Sequence, residues 1–424
     1  MLYRLLPVAF EKLRGSVLAR NTLWMLLGFG SRAVIQALYF VVIARSLKVE
    51  GYGAFVGSAA LVAIVAPFAA LGYDFLLIKN VATNSNLFER YWGNALLMNL
   101  LFGSALTCVV VLFSNYLLPG TISPVLVFTV ALSDIVFAPI LGISGKAFQA
   151  LERLNWTAYF QVLLSLLKLV AALGLAVLVT SPTPVQWGWL YLASSALSAS
   201  IGFWVVSRRL GTPRPDLGGV GSELKEGFYF ALGISTNSIY DNIDKTMLAR
   251  LSSLGATGIY AAAYRLIDVS CTPLVSLVFA SYARFFRHGS GGISGALTYA
   301  KRLLPYAGAY GSFTGVLLFL VAPLLPYVLG SDYHDAVEAI RWLALLPFLR
   351  ALHYLVADAL TGAGFQGLRS GVQVFVALFN VAINFVLIPA YTWRGAAWAS
   401  IASDFLLLLG LLLIAWYVHR KEQV

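Results

Sequence analysis

The stretch Thr22–Ala44, TLWMLLGFGSRAVIQALYFVVIA, carries a single charge, Arg32, in twenty-three residues. A hydrocarbon core about 30 Å thick takes about 20 helical residues to cross, so this segment is long enough to span a bilayer. Its length and the arginine near its middle mark a retained first helix rather than the short apolar core of a cleaved leader. Before it, residues 1–21 place Leu2, Leu5, Leu6, Ala9, Leu13 and Val17 on one helical face, with Arg4, Lys12, Arg14 and Arg20 around it. That is the pattern of a basic amphipathic segment lying on an anionic leaflet; a frayed basic tail fits the same residues.

Stretches of the same kind recur along the chain, separated by short polar breaks. They predict helices near 22–44, 54–76, 92–113, 119–142, 156–179 and 186–206, then near 228–249, 257–283, 303–328, 337–360, 370–390 and 395–418. The chain is 60% hydrophobic and 11% charged, where a soluble domain carries about 25% charged residues. No segment is long or polar enough to be a soluble domain. The expected fold class is therefore all-α: a polytopic membrane protein of about twelve transmembrane helices. Cys108 and Cys271 both fall within predicted helices and form neither a disulfide framework nor a metal motif.

Alternate segments then lie on opposite sides of the bilayer. One side collects nineteen of the 29 cations, among them Lys79, Arg90, Lys146, Arg208, Arg209, Arg287, Arg369 and Arg420. The other side holds four, Arg45, Lys48, Arg250 and Arg394, and six lie within helices. By the positive-inside rule both termini are expected in the cytoplasm, of a bacterial inner membrane protein. The same asymmetry explains the pI near 9.6 without a nucleic-acid partner.

The two halves echo each other. Arg45, Gly53, Phe55 and Pro67 are matched by Arg250, Gly258, Tyr260 and Pro273, with eight residues from Arg to Gly in both. Gly145, Phe148, Gln149 and Leu151 resemble Gly362, Phe365, Gln366 and Leu368, and Gly188, Tyr191 and Ser194 resemble Gly395, Trp398 and Ser400. An offset of six helices predicts parallel repeats about an axis along the membrane normal. The expected organisation is a six-helix lobe over 22–210, a Pro/Gly-rich cytoplasmic linker over 211–227, and a second lobe over 228–424, around a central cavity.

Ionisable groups inside membrane helices are costly and tend to face cavities or each other. Here the cations are Arg32, Lys168, Lys245, Arg265, Arg341 and Arg350; the anions are Asp134, Asp241, Asp244, Asp268, Asp358 and Asp404. Helical spacing allows the pairs Asp241–Lys245 and Arg265–Asp268, and Asp134 and Lys168 fall at similar depth on consecutive helices. Such pairs either staple helices or line a site. Arg32 has no acidic residue within a turn in sequence, which makes it the first candidate for an anionic head group; Arg265, Lys245, Lys168 and Arg350 follow. Arg341 is close enough to an interface to snorkel. Asp241, Asp244, Asp268 and Asp404 are the candidates for binding a coupling H+ or Na+, since these carboxylates can change charge or hold a hard cation. Ser235, Thr236, Asn237, Ser238, Tyr240 and Asn242 make helix 228–249 too polar to face lipid. Neither catalytic residues nor metal ligands stand out: there is no phosphate-gripping glycine loop, no His pair at metal spacing and no Ser/His/Asp grouping, and His288, His334, His353 and His419 are scattered.

Asp241-Asn-Ile-Asp244-Lys245-Thr-Met-Leu-Ala-Arg250, followed by Gly258-Ile-Tyr260-Ala-Ala-Ala-Tyr264-Arg265, resembles the helix 7–8 signature of polysaccharide exporters. So do Gly51-Tyr52-Gly53-Ala-Phe55, Asn380 with Asn384, and Gly395-Ala-Ala-Trp398-Ala-Ser400. The family is the Wzx-type O-antigen and lipid-linked oligosaccharide flippases of the multidrug/oligosaccharidyl-lipid/polysaccharide exporter superfamily. The resemblance spans essentially the whole chain. It implies two six-helix lobes, a cavity with basic residues, alternating access and coupling to an ion gradient. Arg32 and Arg265 match the kind of position at which related lipid II flippases carry cavity arginines. The expected substrate is an undecaprenyl-diphosphate-linked oligosaccharide; the expected partners are membrane lipids, a polysaccharide polymerase and its chain-length machinery. No cofactor is expected. A multidrug cation antiporter of the same superfamily would need an acidic cavity with few cations. A membrane glycan polymerase or ligase would need a substantial outer domain, and the outer segments are short.

Overall fold

The computed structural model describes residues 17–218 and 220–422, with side chains from Gly30 onward apart from scattered positions between 220 and 283. The expected interfacial segment 1–21 lies outside the described residues except for the helical backbone from Val17. Regular structure among the described residues is helical throughout. Val17–Val65 is two helices, α1 (17–47) and α2 (49–65), broken at Lys48 with φ 57° and ψ 178°. There follow α3 (Tyr73–Thr83), α4 (Phe88–Leu117), α5 (124–150), α6 (Leu154–Leu178) and α7 (Pro184–Arg209). The second half begins with α8 (Val220–Leu251), α9 (Leu254–Gly289) and α10 (Ile293–Val321). It ends with α11 (Ala336–Leu343), α12 (Leu346–Gly362) and two helices within Gln366–Glu422, α13 (366–391) and α14 (393–422), broken at Thr392 with φ 56°.

Eight described helices are long and apolar enough to cross a membrane, nine with the bent pair α11–α12. Two of those eight contain two passes each, across the breaks at Lys48 and Thr392. With α8 the described residues hold twelve helical segments of this kind, consistent with the twelve expected from the sequence, and the chain is a multi-pass membrane protein.

Prolines break some passes and not others. The expected helix 54–76 is interrupted. Ala66–Phe68 tightens to a 3-10 turn, then Leu71 (φ 44°) and Gly72 (φ 73°) turn left-handed before α3 begins. Pro67 lacks the N–H an α-helix needs, and a Cβ on Gly72 would lie 2.2 Å from the Gly227 carbonyl oxygen. Expected helix 337–360 is bent by 41° between α11 and α12, next to Pro347. Pro139 follows a π-helical turn, Leu132–Phe137, inside α5. Pro273 sits inside an uninterrupted α9.

Contacts divide the chain into two compact units, Met1–Leu47 with Ser58–Ser238, and Lys48–Gly57 with Ile239–Val424. The passage from one to the other falls inside α8, between Ser238 and Ile239. The first unit packs Tyr73, Leu76, Trp92, Ile143, Phe148 and Phe160 into one core. Asn99 there donates to the Val136 carbonyl oxygen at 2.9 Å, satisfying the backbone at the π turn. Residues 211–217 form no helix and are pinned to α4: Asn94 exchanges two 2.9 Å hydrogen bonds with the Asp216 backbone, and the Arg214 amide donates to the Glu89 carbonyl oxygen at 2.9 Å. Glu223 accepts from Tyr73, Tyr91 and Arg90 at 3.2, 2.8 and 3.3 Å.

In the second unit, α10 lies close enough to α12 that a Cβ on Gly311 or Gly315 would meet its backbone or that of Ala344 at 2.8 and 2.4 Å, the close approach that small residues permit in membrane helices. The segment 48–57 packs on the start of α9. A Cβ on Gly53 would lie 1.8 Å from the Leu254 oxygen, and one on Gly258 would lie 2.1 Å from the Val49 oxygen. Each glycine presses on the start of the other's helix. Phe148 and Phe365 both stand at the end of the fourth pass of their half but out of register: Phe148 lies inside α5, whereas Phe365 lies beyond the end of α12, after the turn at Gly364.

Candidate functional site

The ionisable groups of the membrane helices gather in two clusters, one in each unit. In the first unit the π turn of α5 carries Asp134. Such turns widen the helix by one residue and recur at functional sites. Lys168 of α6 lies 3.6 Å from Asp134 Oδ1, as depth along consecutive helices predicts. Tyr191 of α7 donates to Asp134 Oδ2 at 3.0 Å, and the Lys168 ammonium sits 3.6 Å above the Tyr191 ring. Ser133 bridges Asp134 at 3.1 Å and Ser195 at 2.7 Å. Arg32 of α1 is half-buried and within electrostatic reach of Lys168. Two of the five candidate substrate-binding cations therefore meet here.

The second cluster is built on Arg350 of α12, whose side chain is 7% exposed. Its guanidinium donates to Asp268 of α9 at 3.1 Å, to Asp404 of α14 at 3.4 Å and to the Tyr264 hydroxyl at 2.5 Å. Asp404 is 1% exposed and also accepts from Tyr240 of α8 at 2.5 Å. The Tyr264 ring links this group to Lys245, whose ammonium lies 4.6 Å from its centroid. Lys245 reaches the Asp244 carboxylate at 3.9 Å, and its contact with Asp241 is to the main-chain oxygen. Asp244 accepts from Tyr260, which in turn meets Ser400 at 2.8 Å. Asn384 donates to Asn380 and Asn380 to Ser403, each at 3.0 Å, tying α13 to α14.

This arrangement revises the pairings expected from sequence. Asp268 is held by Arg350, 82 residues away, where helical spacing suggested Arg265. The carboxylate nearest Lys245 is Asp244, its neighbour in sequence, where the four-residue spacing suggested Asp241. Arg350 is satisfied by side chains of α9 and α14. Arg265 is half-buried within electrostatic reach of Tyr52. Asp358 pairs with Arg369 at 3.3 Å near the end of α12, outside both clusters. The side chains of Thr236 and Asn237 lie outside the described residues. Sequence reasoning passed over Tyr240, Tyr264 and His353 as site residues. Tyr264 sits four residues after Tyr260 within the resemblance motif, and that spacing was a usable signal; nothing local marks His353.

A family model described as "Polysaccharide biosynthesis protein" matches residues 18–286. A protein of Escherichia coli (strain K12) described as "Putative O-antigen transporter" is 21% identical over 404 residues, 92% of this chain and 94% of its own. Among solved structures, the lipid II flippase MurJ in an inward closed conformation superposes with a TM-score of 0.75 at 13% identity, over 92% of this chain and 87% of its own. An inward-facing multidrug resistance MATE family transporter of the MOP superfamily gives 0.74 at 15% identity, over 91% and 96%. These likenesses establish the fold as that of MOP-superfamily transporters. With the family model covering more than half its length, the chain belongs to the polysaccharide biosynthesis protein family.

Proposed function

We propose that the protein is a flippase that moves a polyprenyl-diphosphate-linked oligosaccharide from the cytoplasmic to the outer leaflet of a bacterial inner membrane, by alternating access, for export of a surface polysaccharide such as O-antigen. The observation that carries this reading is a polysaccharide biosynthesis family member whose membrane helices bury Lys168, Lys245 and Arg350 in polar clusters. A diphosphate leaving water needs charge-assisted donors in return, and the Lys168 and Lys245 ammoniums, each near a single carboxylate, retain N–H groups for it. The resemblance of the E. coli relative, described as an O-antigen transporter, supports the substrate class. A cation-exporting multidrug site would favour carboxylates without cations, whereas Asp134, Asp244, Asp268 and Asp404 each have a cation within 4 Å. In this reading Arg32, Lys168, Lys245, Arg265 and Arg350 serve the anionic head group, and Asp241, Asp244, Asp268 and Asp404 belong to the coupling of transport to an H+ or Na+ gradient.

The test is complementation of a strain lacking its O-antigen flippase, scored for surface glycan beside the membrane abundance of each variant. The wild-type chain is expected to restore glycan, Arg32→Ala to restore little at normal abundance, and Arg32→Lys to retain part, since an ammonium keeps the charge but not the planar fork. A well-expressed wild type that leaves lipid-linked glycan on the inner leaflet of a strain making its own matched glycan refutes the flippase reading. Full restoration by Arg32→Ala removes Arg32 from the substrate site.

A further inference from the structure

His353 lies one helical turn beyond Arg350 on α12 and is 5% exposed. Its Nε2 is 3.7 Å from Asp404 Oδ1 and has no hydrogen-bond partner, while its ring packs edge-on against Tyr354 at 4.8 Å. A buried polar nitrogen without a partner is unfavourable, because it has given up its bond to water. Here the nearest acceptor is the most deeply buried carboxylate of the cluster. The ion pairs of Arg350, Lys245, Asp244, Asp268 and Asp404 link two cations and three anions, with Asp241 within electrostatic reach of four of them, so the network is short of positive charge. A proton on His353 supplies that charge and turns the 3.7 Å approach into a charge-assisted hydrogen bond. A metal ion does not fit the same place. Both Asp404 oxygens already accept hydrogen bonds, Oδ1 from Tyr240 and Oδ2 from Arg350, which leaves no ligand set for a metal ion, whereas a proton needs no coordination shell.

We propose that His353 is the proton-binding group of this transporter, and that its protonation turns Asp404 Oδ1 from Tyr240 towards His353, loosening α8 from α14. The proposal rests on the transporter reading and names its coupling ion. The side chains recorded against the His353 ring are Tyr354 of α12 itself and Asp404 of α14. Around them stand Arg350 of α12 and Tyr240 of α8, both bonded to Asp404, Tyr264 and Asp268 of α9, both bonded to Arg350, and Asp241 of α8 and Cys271 of α9, within electrostatic reach of Tyr354. On α10, Tyr310 donates to the Ser270 carbonyl oxygen and is occupied. Only Asp404 presents an acceptor within 4 Å of Nε2 among the described ion pairs. Tyr240 stands two residues after Ser238, where α8 passes from the first unit into the second. The other histidines do not share this setting: His288 is exposed and its ring stacks on Tyr299, His334 is exposed, and His419 is near the C-terminal end of α14.

Four histidines make the test direct. Full-length protein in lipid nanodiscs, labelled at histidine and tyrosine, is followed by NMR across pH, with His353 assigned by His353→Gln. Should that variant fail to accumulate, assignment proceeds by removing His288, His334 and His419, none of which is buried. The expected result is that the assigned His353 signals respond to pH, with the Tyr240 ring signal moving at the same midpoint. His353→Gln should abolish the Tyr240 response, and Asp404→Asn should change the His353 midpoint because the imidazolium loses its anion. A His353 signal that does not titrate, a midpoint indifferent to Asp404→Asn, or a Tyr240 signal that answers to sodium chloride and not to pH each overturns the proposal. None of these measurements uses a transported substrate. A titrating His353 beside failed complementation would sustain the proton site and refute only the glycan reading.

Discussion

Replacing Arg350 with methionine removes the cation that holds the second cluster together, and the structure sets the size of the effect. Asp404, 1% exposed, would keep Tyr240 as a donor but lose its guanidinium at 3.4 Å. Stranding a buried charge in this way costs about 3–5 kcal/mol. Asp268 should add little, because its side chain is 46% exposed and water can replace the lost bond. The double change Arg350→Met with Asp404→Leu removes both charges at once. The Tyr264 hydroxyl loses Arg350 in both variants, and the double change strands the Tyr240 hydroxyl, at about 1–3 kcal/mol, in place of the Asp404 carboxylate, so the double variant should be more stable than Arg350→Met alone. Asp404→Leu by itself should fall between them, since Arg350 keeps Asp268. The assay is thermal unfolding of purified protein followed by tryptophan fluorescence, in which about 1 kcal/mol moves the midpoint by about 2–4 °C for a unit of about 200 residues. Arg350→Met is therefore expected to lower it by about 6–20 °C, and the second substitution to recover part of that. A single variant as stable as wild type, or a double variant whose loss equals the sum of the two singles, would refute the idea that Arg350 and Asp404 are coupled across the helices.

Further outcomes follow from other parts of the molecule. Reporter fusions after Ser207 and Arg287 should read cytoplasmic, and fusions after Asn115 and Ser181 external; an external reading at Ser207 breaks both the twelve-pass topology and the parallel repeat. Gly53→Ala would place a methyl 1.8 Å from the Leu254 oxygen and should cost about 1–3 kcal/mol or more by overpacking, while Gly174→Ala, with nothing within 4 Å, should be neutral or stabilise by up to about 1 kcal/mol; equal melting temperatures for the two would contradict the close crossing of α2 and α9. Asn94→Ala should release the Asp216 backbone by losing two hydrogen bonds, about 2 kcal/mol or about a 30-fold rise in local opening, read as faster proteinase K nicking within 211–218; unchanged nicking would show that the segment is held elsewhere.

The sequence by itself determined the number of passes, the all-helical class and the inventory of buried charges. Each is a local property: apolar length decides whether a segment can cross lipid, and a charge inside such a segment is visible wherever its partner lies. It also announced the Asp134–Lys168 pair, because consecutive membrane helices are adjacent and depth can be counted along each. Tertiary structure alone decided the other partners. Helical spacing places Arg265 and Asp268 on one face but says nothing about which distant helix that face meets; the packing of α9 against α12 brings Arg350 to Asp268 instead. His353 stayed unremarkable in sequence because its significance is a 3.7 Å approach to a residue 51 positions away. Pro67, Pro347 and Pro273 look alike in sequence, yet the first two stand at a break and a bend while the third rides inside a continuous helix. A missing N–H removes one bond locally, and whether the helix then yields depends on what its neighbours supply or press against. Gly53 and Gly258 likewise read only as a repeat signal in sequence. The contact of each with the backbone opposite the other, at a distance no Cβ tolerates, belongs to the fold.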